Sequence, residues 1–453
     1  MRVELPNSPR DVLEISSAWL RFIVNLVVRA AELGGFWRYP LSGSAATSEE
    51  MNARDTLYWI YKSKNPILRY EKGIPSSNLP GSYLGKPKLP AGFEMQTSVS
   101  FAAVGDILRS KGIEQSKNLL YEHINDLVFG QDVSYANFES PVTEQDLVDE
   151  VIGDKAPPVE CCSKPQFDIL KGHKGRVFDV LHTANNHMYD MGTEGVETTL
   201  NVLQSEGILD VGTNRTPDTY GRAKTLSKNG IKIGFASDCF GLNGRTLPVE
   251  ERYRIHVSKL LSKRSAPDLT LLRRQIEDCK AQRCDFVVAS VHWGHEFEFF
   301  PRFVQVEAAR SLAELGADCV ICHHPHVIQP VETYQTIRDP NRTAVIAYSL
   351  GSLTWGFSAP HIALSAILNL GLVKGRLDGE KRTFINDVRV TPVFRTLTQN
   401  DGIDVTRIER LSDHLAPNAS PYSQEYVARI KNYADLVLGD DWPSKQWVLP
   451  SEP

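Results

Sequence analysis

From Ser98 onward the chain alternates apolar, strand-like runs with helical stretches, and this alternation restricts its fold more than any other feature. The runs Val99–Val104, Val133–Phe138, Val177–Thr183, Ile231–Ser237, Phe286–Val291 and Cys319–Cys322 are short and rich in Val, Ile and Phe. Helical patterns cover Gln115–Phe129, Thr193–Glu206, Leu269–Gln282 and Val304–Leu315. Strands separated by helices of ten or more residues form βαβ units and a largely parallel sheet. Past Arg342 the texture changes to strand-like runs, Ala344–Ser349, Ile362–Leu370 and Thr383–Phe394, expected as antiparallel strands that complete a second sheet. One more helix is expected over Ser423–Leu438.

Open α/β sheets bind ligands beyond the carboxyl ends of their strands, and here five of those ends carry ligand-competent residues. Asp106 follows the first, behind Gly105; Asn137 and Glu139 end the second; Asn185, Asn186 and His187 leave the third, with Asp190 beyond. His292, His295 and Glu296 follow the fifth, and His323, His324 and His326 close the set. His324 and His326, two residues apart, can turn to the same side of an extended backbone. Imidazole, carboxylate and amide donors suit a borderline divalent metal, zinc, manganese or iron, rather than a thiolate site. The inventory suffices for two ions about 3.5–4 Å apart that share a carboxylate. Singly, each signal has an ordinary reading: Asn185-Asn186 as a helix cap, His292 as a core histidine, Asp190 as a capping or supporting residue. The conjunction carries the metal reading, and it leaves His295 and His323 without a role.

Composition sets the surroundings. With 42% hydrophobic and 23% charged residues the chain reads as soluble and globular, and a net charge of −5 offers no basic field for nucleic acid. Seven cysteines, an odd and sparse set, point to a reducing, cytoplasmic location. Cys319 and Cys322 stand three apart on a strand and are expected on opposite faces, as packing residues. Cys161–Cys162 reads as more exposed, with a weak zinc signal. Near the amino terminus Ile15–Val28 is apolar, but Arg21 and Asn25 break it well short of the roughly 20 residues a membrane span needs. Ser8-Pro9-Arg10-Asp11 reads as a capped helix start. The stripe Val12, Ile15, Trp19, Phe22, Ile23, Leu26, Ala30 and Leu33 then predicts an amphipathic helix, ended by Gly34-Gly35 and docked through that stripe on the body of the protein or, alternatively, on a partner or membrane surface. A helix around Ser48–Lys62 and a proline-interrupted extended segment follow. The expected organisation is an N-terminal helix and wrapping segment (1–97), a catalytic domain (98–395) and a C-terminal helical tail (396–453).

Six segments carry a resemblance: GDI at Gly105, NFE at Asn137, ANNHMYDMG at Ala184, HWGHEFEFFP at His292, HHPHVIQPVE at His323 and YSLGSL at Tyr348. Over roughly Ser98 to Phe394 the chain resembles the CapA family of poly-γ-glutamate capsule biosynthesis proteins, relatives of the calcineurin-like metallophosphoesterases. The resemblance implies a four-layer α/β/β/α sandwich of the metallo-dependent phosphatase type, with one or two divalent ions (manganese, zinc or iron) between the sheets. Asp106 and His326 would ligate one metal, Asn186, His292 and His324 the other, and Glu139 would bridge them. His187 and Asp190 are the candidate catalytic residues, His187 at the position similar to the phosphoesterase general acid. There are departures. Leu108 stands where metallophosphoesterases usually have a histidine, the NFE segment replaces their bridging aspartate, His323 replaces a glycine, Ser352 replaces an asparagine of the family's SLGNF, and the membrane anchor common among capsule members is lacking. The implied activity is metal-dependent hydrolysis, with a metal-bound hydroxide attacking a phosphoester or a γ-glutamyl-type amide of a small-molecule or anionic polymer substrate. Amide-bond formation or transfer on glutamate-like substrates stays open. So does non-catalytic binding, which Leu108 favours.

Overall fold

The computed structural model describes residues 5–75, 78–80, 87–147, 152–153, 158–400, 402–416, 420–440 and 442. Its amino-terminal part contains helices α1 (Ala18–Gly34) and α2 (Ala53–Lys62). The body begins with β1 (Glu94–Ile107), β2 (Val133–Phe138), α3 (Lys164–Leu170), β3 (Val180–His182), α4 (Gly192–Ser205) and β4 (Leu209–Val211). It continues with β5 (Lys224–Lys228), β6 (Ile231–Cys239), α5 (Thr270–Ala281), β7 (Phe286–His292), α6 (Phe303–Leu315) and β8 (Cys319–His323). β9 (Val331–Gln335), β10 (Thr343–Ala347), β11 (Leu364–Leu377), β12 (Glu380–Asn400), β13 (Ile403–Arg410) and α7 (Gln424–Leu438) complete it.

Two sheets result. One runs β13-β12-β11-β1-β2-β3-β4 and the other β9-β10-β8-β7-β6-β5. The strands β1 to β4 of the first are mutually parallel, as are β6, β7, β8 and β10 of the second. Burial on alternate faces explains the layering. Phe101, Tyr135 and Val180 of one sheet meet Phe235, Phe286, Val288 and Ile321 of the other in a shared core. Leu272 and Ile276 of α5, with Ala309 and Leu312 of α6, cover the outer face of the second sheet on Ala289, Val320 and Ile346. Phe167 and Leu170 of α3 and Leu203 of α4 cover the first on Val104, Ala136 and Leu181. The molecule is therefore a four-layer α/β/β/α sandwich. Cys319 faces the core between the sheets while Cys322 faces the helices, as a spacing of three requires.

Several local expectations are corrected. Only short helical turns, Glu122–Ile124 and Asn125–Val128, form where Gln115–Phe129 was expected helical, since Asn118 at φ 61° breaks any helix begun earlier. The Ala344 strand joins the second sheet parallel to β8 instead of pairing with β11 and β12. The tail contributes β13 as well as a helix. Cys161 and Cys162 are fully buried, and Cys162 donates from Sγ to the Ser140 carbonyl at 3.2 Å. The Ser8–Asp11 capping box is present but starts only a 3-10 turn; α1 begins at Ala18, with Ser17 accepting from the Leu20 amide. The helix docks through Val24, Val28 and Ala31 onto Tyr58 and Tyr61, while Trp19, Phe22, Leu26 and Leu33 of the predicted docking stripe are exposed. Arg21, Asn25, Arg29 and Glu32 take one side of α1, and of its remaining apolar surface the tyrosines of α2 pack on the part that carries Val24, Val28 and Ala31. Among the described residues no helix is long and apolar enough to cross a membrane.

Candidate metal centre

Strand register brings the chemistry together. Asp106 is aligned with Asn137, and Asn137 with His182, along one sheet; Cys239, His292 and His323 are aligned along the other. The two rows face each other across the core at the carboxyl ends of their strands, where such sheets place their sites. Gly105 permits the crossing of the last motif over the first. A Cβ there would stand 1.8 Å from the Gly351 carbonyl oxygen, which instead accepts from the Asp106 amide at 3.0 Å. His324 and His326 both lie in the left-handed region, at φ 97° and 56°. Such backbone costs about 1–3 kcal/mol per residue and persists where the surroundings dictate it, often at functional sites.

Each candidate carboxylate has one oxygen held and the other bare. Asp106 Oδ1 accepts from Asn137 Nδ2 at 2.9 Å and lies 3.0 Å from His323 Nδ1. Its Oδ2 has no hydrogen-bond partner and lies 3.3 Å from His326 Nδ1. Glu139 Oε2 is 3.4 Å from Asn137 Nδ2, whereas Oε1 is bare, 3.4 Å from His292 Nε2. Asn186 turns Oδ1 to the same His292 nitrogen at 2.7 Å, and His324 Nδ1 is buried without a partner. Ligand atoms of Glu139, His292 and His324 lie within 4.8 Å of one another, as do those of Asp106, Glu139 and His326. The structure thus brings all six expected ligands, Asp106, Glu139, Asn186, His292, His324 and His326, to one place.

The electrostatics of the cluster suit a divalent cation. Burial alone would raise Asp106, but the His323 and His326 imidazoles beside its two oxygens hold it well below the usual carboxylate range. Burial and the charge of Asp106 push Glu139 well above that range. Burial, then the neighbouring imidazoles, keep His292 and His324 neutral, the form a metal ligand requires. Bare buried oxygens, a bare buried imidazole nitrogen and mutually repelling carboxyls all fit divalent cations of the borderline class.

His187 stands beside this cluster. Its Nδ1 is 2.7 Å from Asp190 Oδ2, and Asn243 Nδ2 is 3.4 Å from its Nε2. Asp190 contacts His187, the Glu160 amide (2.8 Å) and Arg245 (2.9 Å), not the cluster. The residues without a role in the sequence now have contacts. His323 spans Asp106 and Tyr135 (Nε2 to the hydroxyl, 2.9 Å), and so fixes which Asp106 oxygen is free. His295 is turned away, into a buried group with Glu298 and Arg302. Four residues join the site without a role foreseen from the sequence. His182 ends the chain of contacts behind Tyr135, through Ser290. Ser352 Oγ is 2.6 Å from His326 Nδ1. Asn243, at φ 52° in a Leu-Asn-Gly turn, links Asn186 and His187. Trp59 of α2 donates to Glu296 at the rim. Only Asn243 had a local signal, its Asn-Gly pair.

With this geometry in place, residues 100–355 match the family described as bacterial capsule synthesis protein PGA_cap, more than half of the chain. The chain belongs to that family. Among curated relatives, PGA biosynthesis protein CapA of Bacillus subtilis (strain 168) is 28% identical over 316 residues, 68% of this chain and 76% of that protein. Capsule biosynthesis protein CapA of Bacillus anthracis is 26% identical over 266 residues, 57% of this chain and 60% of the relative. The solved calcineurin-like phosphoesterase YfkN from Bacillus subtilis aligns over 77% of this chain and 99% of its own at 12% identity. Its TM-score is 0.33, too low to bear on function. In this PGA_cap member Leu108 is packed in the core between the sheets and offers nothing to a cation.

Proposed function

We propose that this PGA_cap protein is a metal-dependent hydrolase acting on a phosphoester or a γ-glutamyl-type amide. The observation that supports it best is the set of bare, buried ligand atoms, Asp106 Oδ2, Glu139 Oε1 and His324 Nδ1, converging at strand ends beside a histidine with its own carboxylate. Asp106, Glu139, Asn186, His292, His324 and His326 would hold one or two divalent ions. Ions held there would supply Lewis acidity and lower the pKa of a water to about 7. The chain's own residues do the rest. Asp190, itself paired with Arg245, orients His187 through Nδ1, which leaves Nε2 as the nitrogen that gives a proton to the leaving group. Asn243 and Asn186 fix that nitrogen relative to His292. Two named relatives are CapA proteins of PGA or capsule biosynthesis, which is why γ-glutamyl amides stand beside phosphoesters as substrates to test.

Three variants test the reading. His292→Ala and His326→Ala should lower bound metal, measured on the purified protein, together with any turnover of a phosphodiester or a γ-glutamyl peptide. His187→Ala should keep its metal and lose about 10²–10⁴-fold in rate. Metal retained by all three variants would remove the reading. Metal lost equally from all three would make His187 a ligand.

A further inference from the structure

We propose that Glu296 is an additional metal ligand, acting with His324 and His326 at the solvent side of the centre, and that Trp59 holds it in place. The inference rests on the metal reading above and goes beyond its six ligands. The ligand atoms of Glu296, His324 and His326 all lie within 4.8 Å of one another. His326 has two distinct ring edges. Nδ1 faces Ser352 Oγ (2.6 Å) and Asp106, while Nε2 points to Glu296 Oε1 at 3.9 Å. That separation is too long for a hydrogen bond, yet two metal–ligand bonds of about 2.0–2.2 Å span it. His324, fully buried with an unpartnered Nδ1, supplies the third donor. Glu296 keeps 18% of its side chain exposed, whereas Asp106 and Glu139 are buried, so a cation held there would lie nearer the surface.

The carboxylate is held by a segment outside the residues the family covers. The Trp59 indole N–H donates to Glu296 Oε2, leaving Oε1 on the side of His326. Trp59 is itself fixed. Its ring lies 6.2 Å from Phe297, and Tyr58 and Lys62 on the same helix bind Glu298 at 3.0 and 3.2 Å. Backbone pairing adds to this: the Ile67 amide donates to the Phe297 carbonyl and the Phe299 amide to the Ile67 carbonyl, both at 2.9 Å. Phe297, at φ 59°, turns the chain between the two glutamates, so one serves the centre while the other anchors α2. Partners that orient metal ligands typically matter 10–100-fold in affinity. The N-terminal segment is thus part of the metal centre.

The test is titration of the full-length protein with Mn²⁺, read by calorimetry and by the EPR signal of free ion, with thermal unfolding of each metal-free variant as a folding control. Glu296→Gln should lose one class of Mn²⁺ site or weaken it at least 10-fold. Trp59→Phe, which keeps the ring and removes the donor, should weaken the same class about 10-fold. His292→Ala should weaken a different class and leave the Glu296-dependent one measurable. Wild-type binding curves for Glu296→Gln, beside a clear loss in His292→Ala, would overturn this inference and leave the hydrolase reading standing. Weakening by Trp59→Phe without weakening by Glu296→Gln would also overturn it. No Mn²⁺ bound by the unaltered protein would end both.

Discussion

Glu298→Gln is the substitution whose cost can be worked most directly from the contacts. Glu298 is buried and touches two cations and a phenol: Arg302 Nε at 2.6 Å and Nη2 at 3.0 Å, Lys62 Nζ at 3.2 Å, and the Tyr58 hydroxyl at 3.0 Å. Burial alone would raise its pKa, but Arg302 and Lys62 pull it far below the usual carboxylate range. A glutamine keeps the shape but brings an amide N–H to a site lined only by donors. Arg302 retains Glu71 at 3.1 Å and the Leu41 carbonyl at 3.2 Å, so it stays partly compensated. Lys62 has no other ion-pair partner among the described residues, and burial already depresses its pKa. One uncompensated buried charge costs about 3–5 kcal/mol, against a total stability of roughly 5–15 kcal/mol. Urea denaturation followed by tryptophan fluorescence should record a loss in that range. Lys62→Met removes the stranded charge while filling its space, so Glu298→Gln with Lys62→Met should recover about half of the loss or more. A single-variant cost under about 1 kcal/mol, or no recovery in the double variant, would refute the claim that this ion cluster clamps α2 to the body.

Two further outcomes follow from buried side chains. His256 accepts from the Gly221 amide at Nε2 and faces the Ser237 carbonyl at Nδ1, both at 3.1 Å; burial, aided by Lys224 and Arg274 and only partly opposed by the Ser237 carbonyl, leaves its pKa lowered from 6.5 to about 4. Its folded value lies below its unfolded one, so the unfolded chain takes the proton first. Stability falls as pH drops from 6.5 to about 4, and His256 accounts for about 3 kcal/mol of that fall. His256→Gln should flatten the unfolding free energy over this window by that amount, and an unchanged slope would refute it. On α1, Val28→Asp should destabilise by several kcal/mol because Val28 is fully buried against α2, whereas exposed Leu26→Asp should change stability by less than about 0.5 kcal/mol. Equal effects in chemical denaturation would mean the helix docks by the other face.

What the sequence discloses here is whatever a short window can encode. The strands of the body are legible because each is an apolar run closed by polar residues or glycine, and β2 falls on the residues expected, Val133–Phe138. The candidate ligands are legible for the same reason: a strand end is a local event, and five of them carrying donors of one chemical class leave few other uses. Features decided by distant partners are not legible. The face α1 buries is set by Tyr58 and Tyr61, some thirty residues on, and the larger apolar side chains that define the stripe in the sequence are left outside. Asp106 has one free oxygen only because His323, 217 residues away, takes the other. Glu296 shows the limit most clearly. It stands in plain view in HWGHEFEFFP, next to a histidine that turns away and two residues from a glutamate that anchors α2 through an ion cluster. Nothing in that window separates the three. The separation comes from α2, whose indole reaches the first glutamate and whose lysine and tyrosine reach the second. A ligand is assigned by what holds it as much as by what it is, and in this protein the holding element comes from outside the matched family residues.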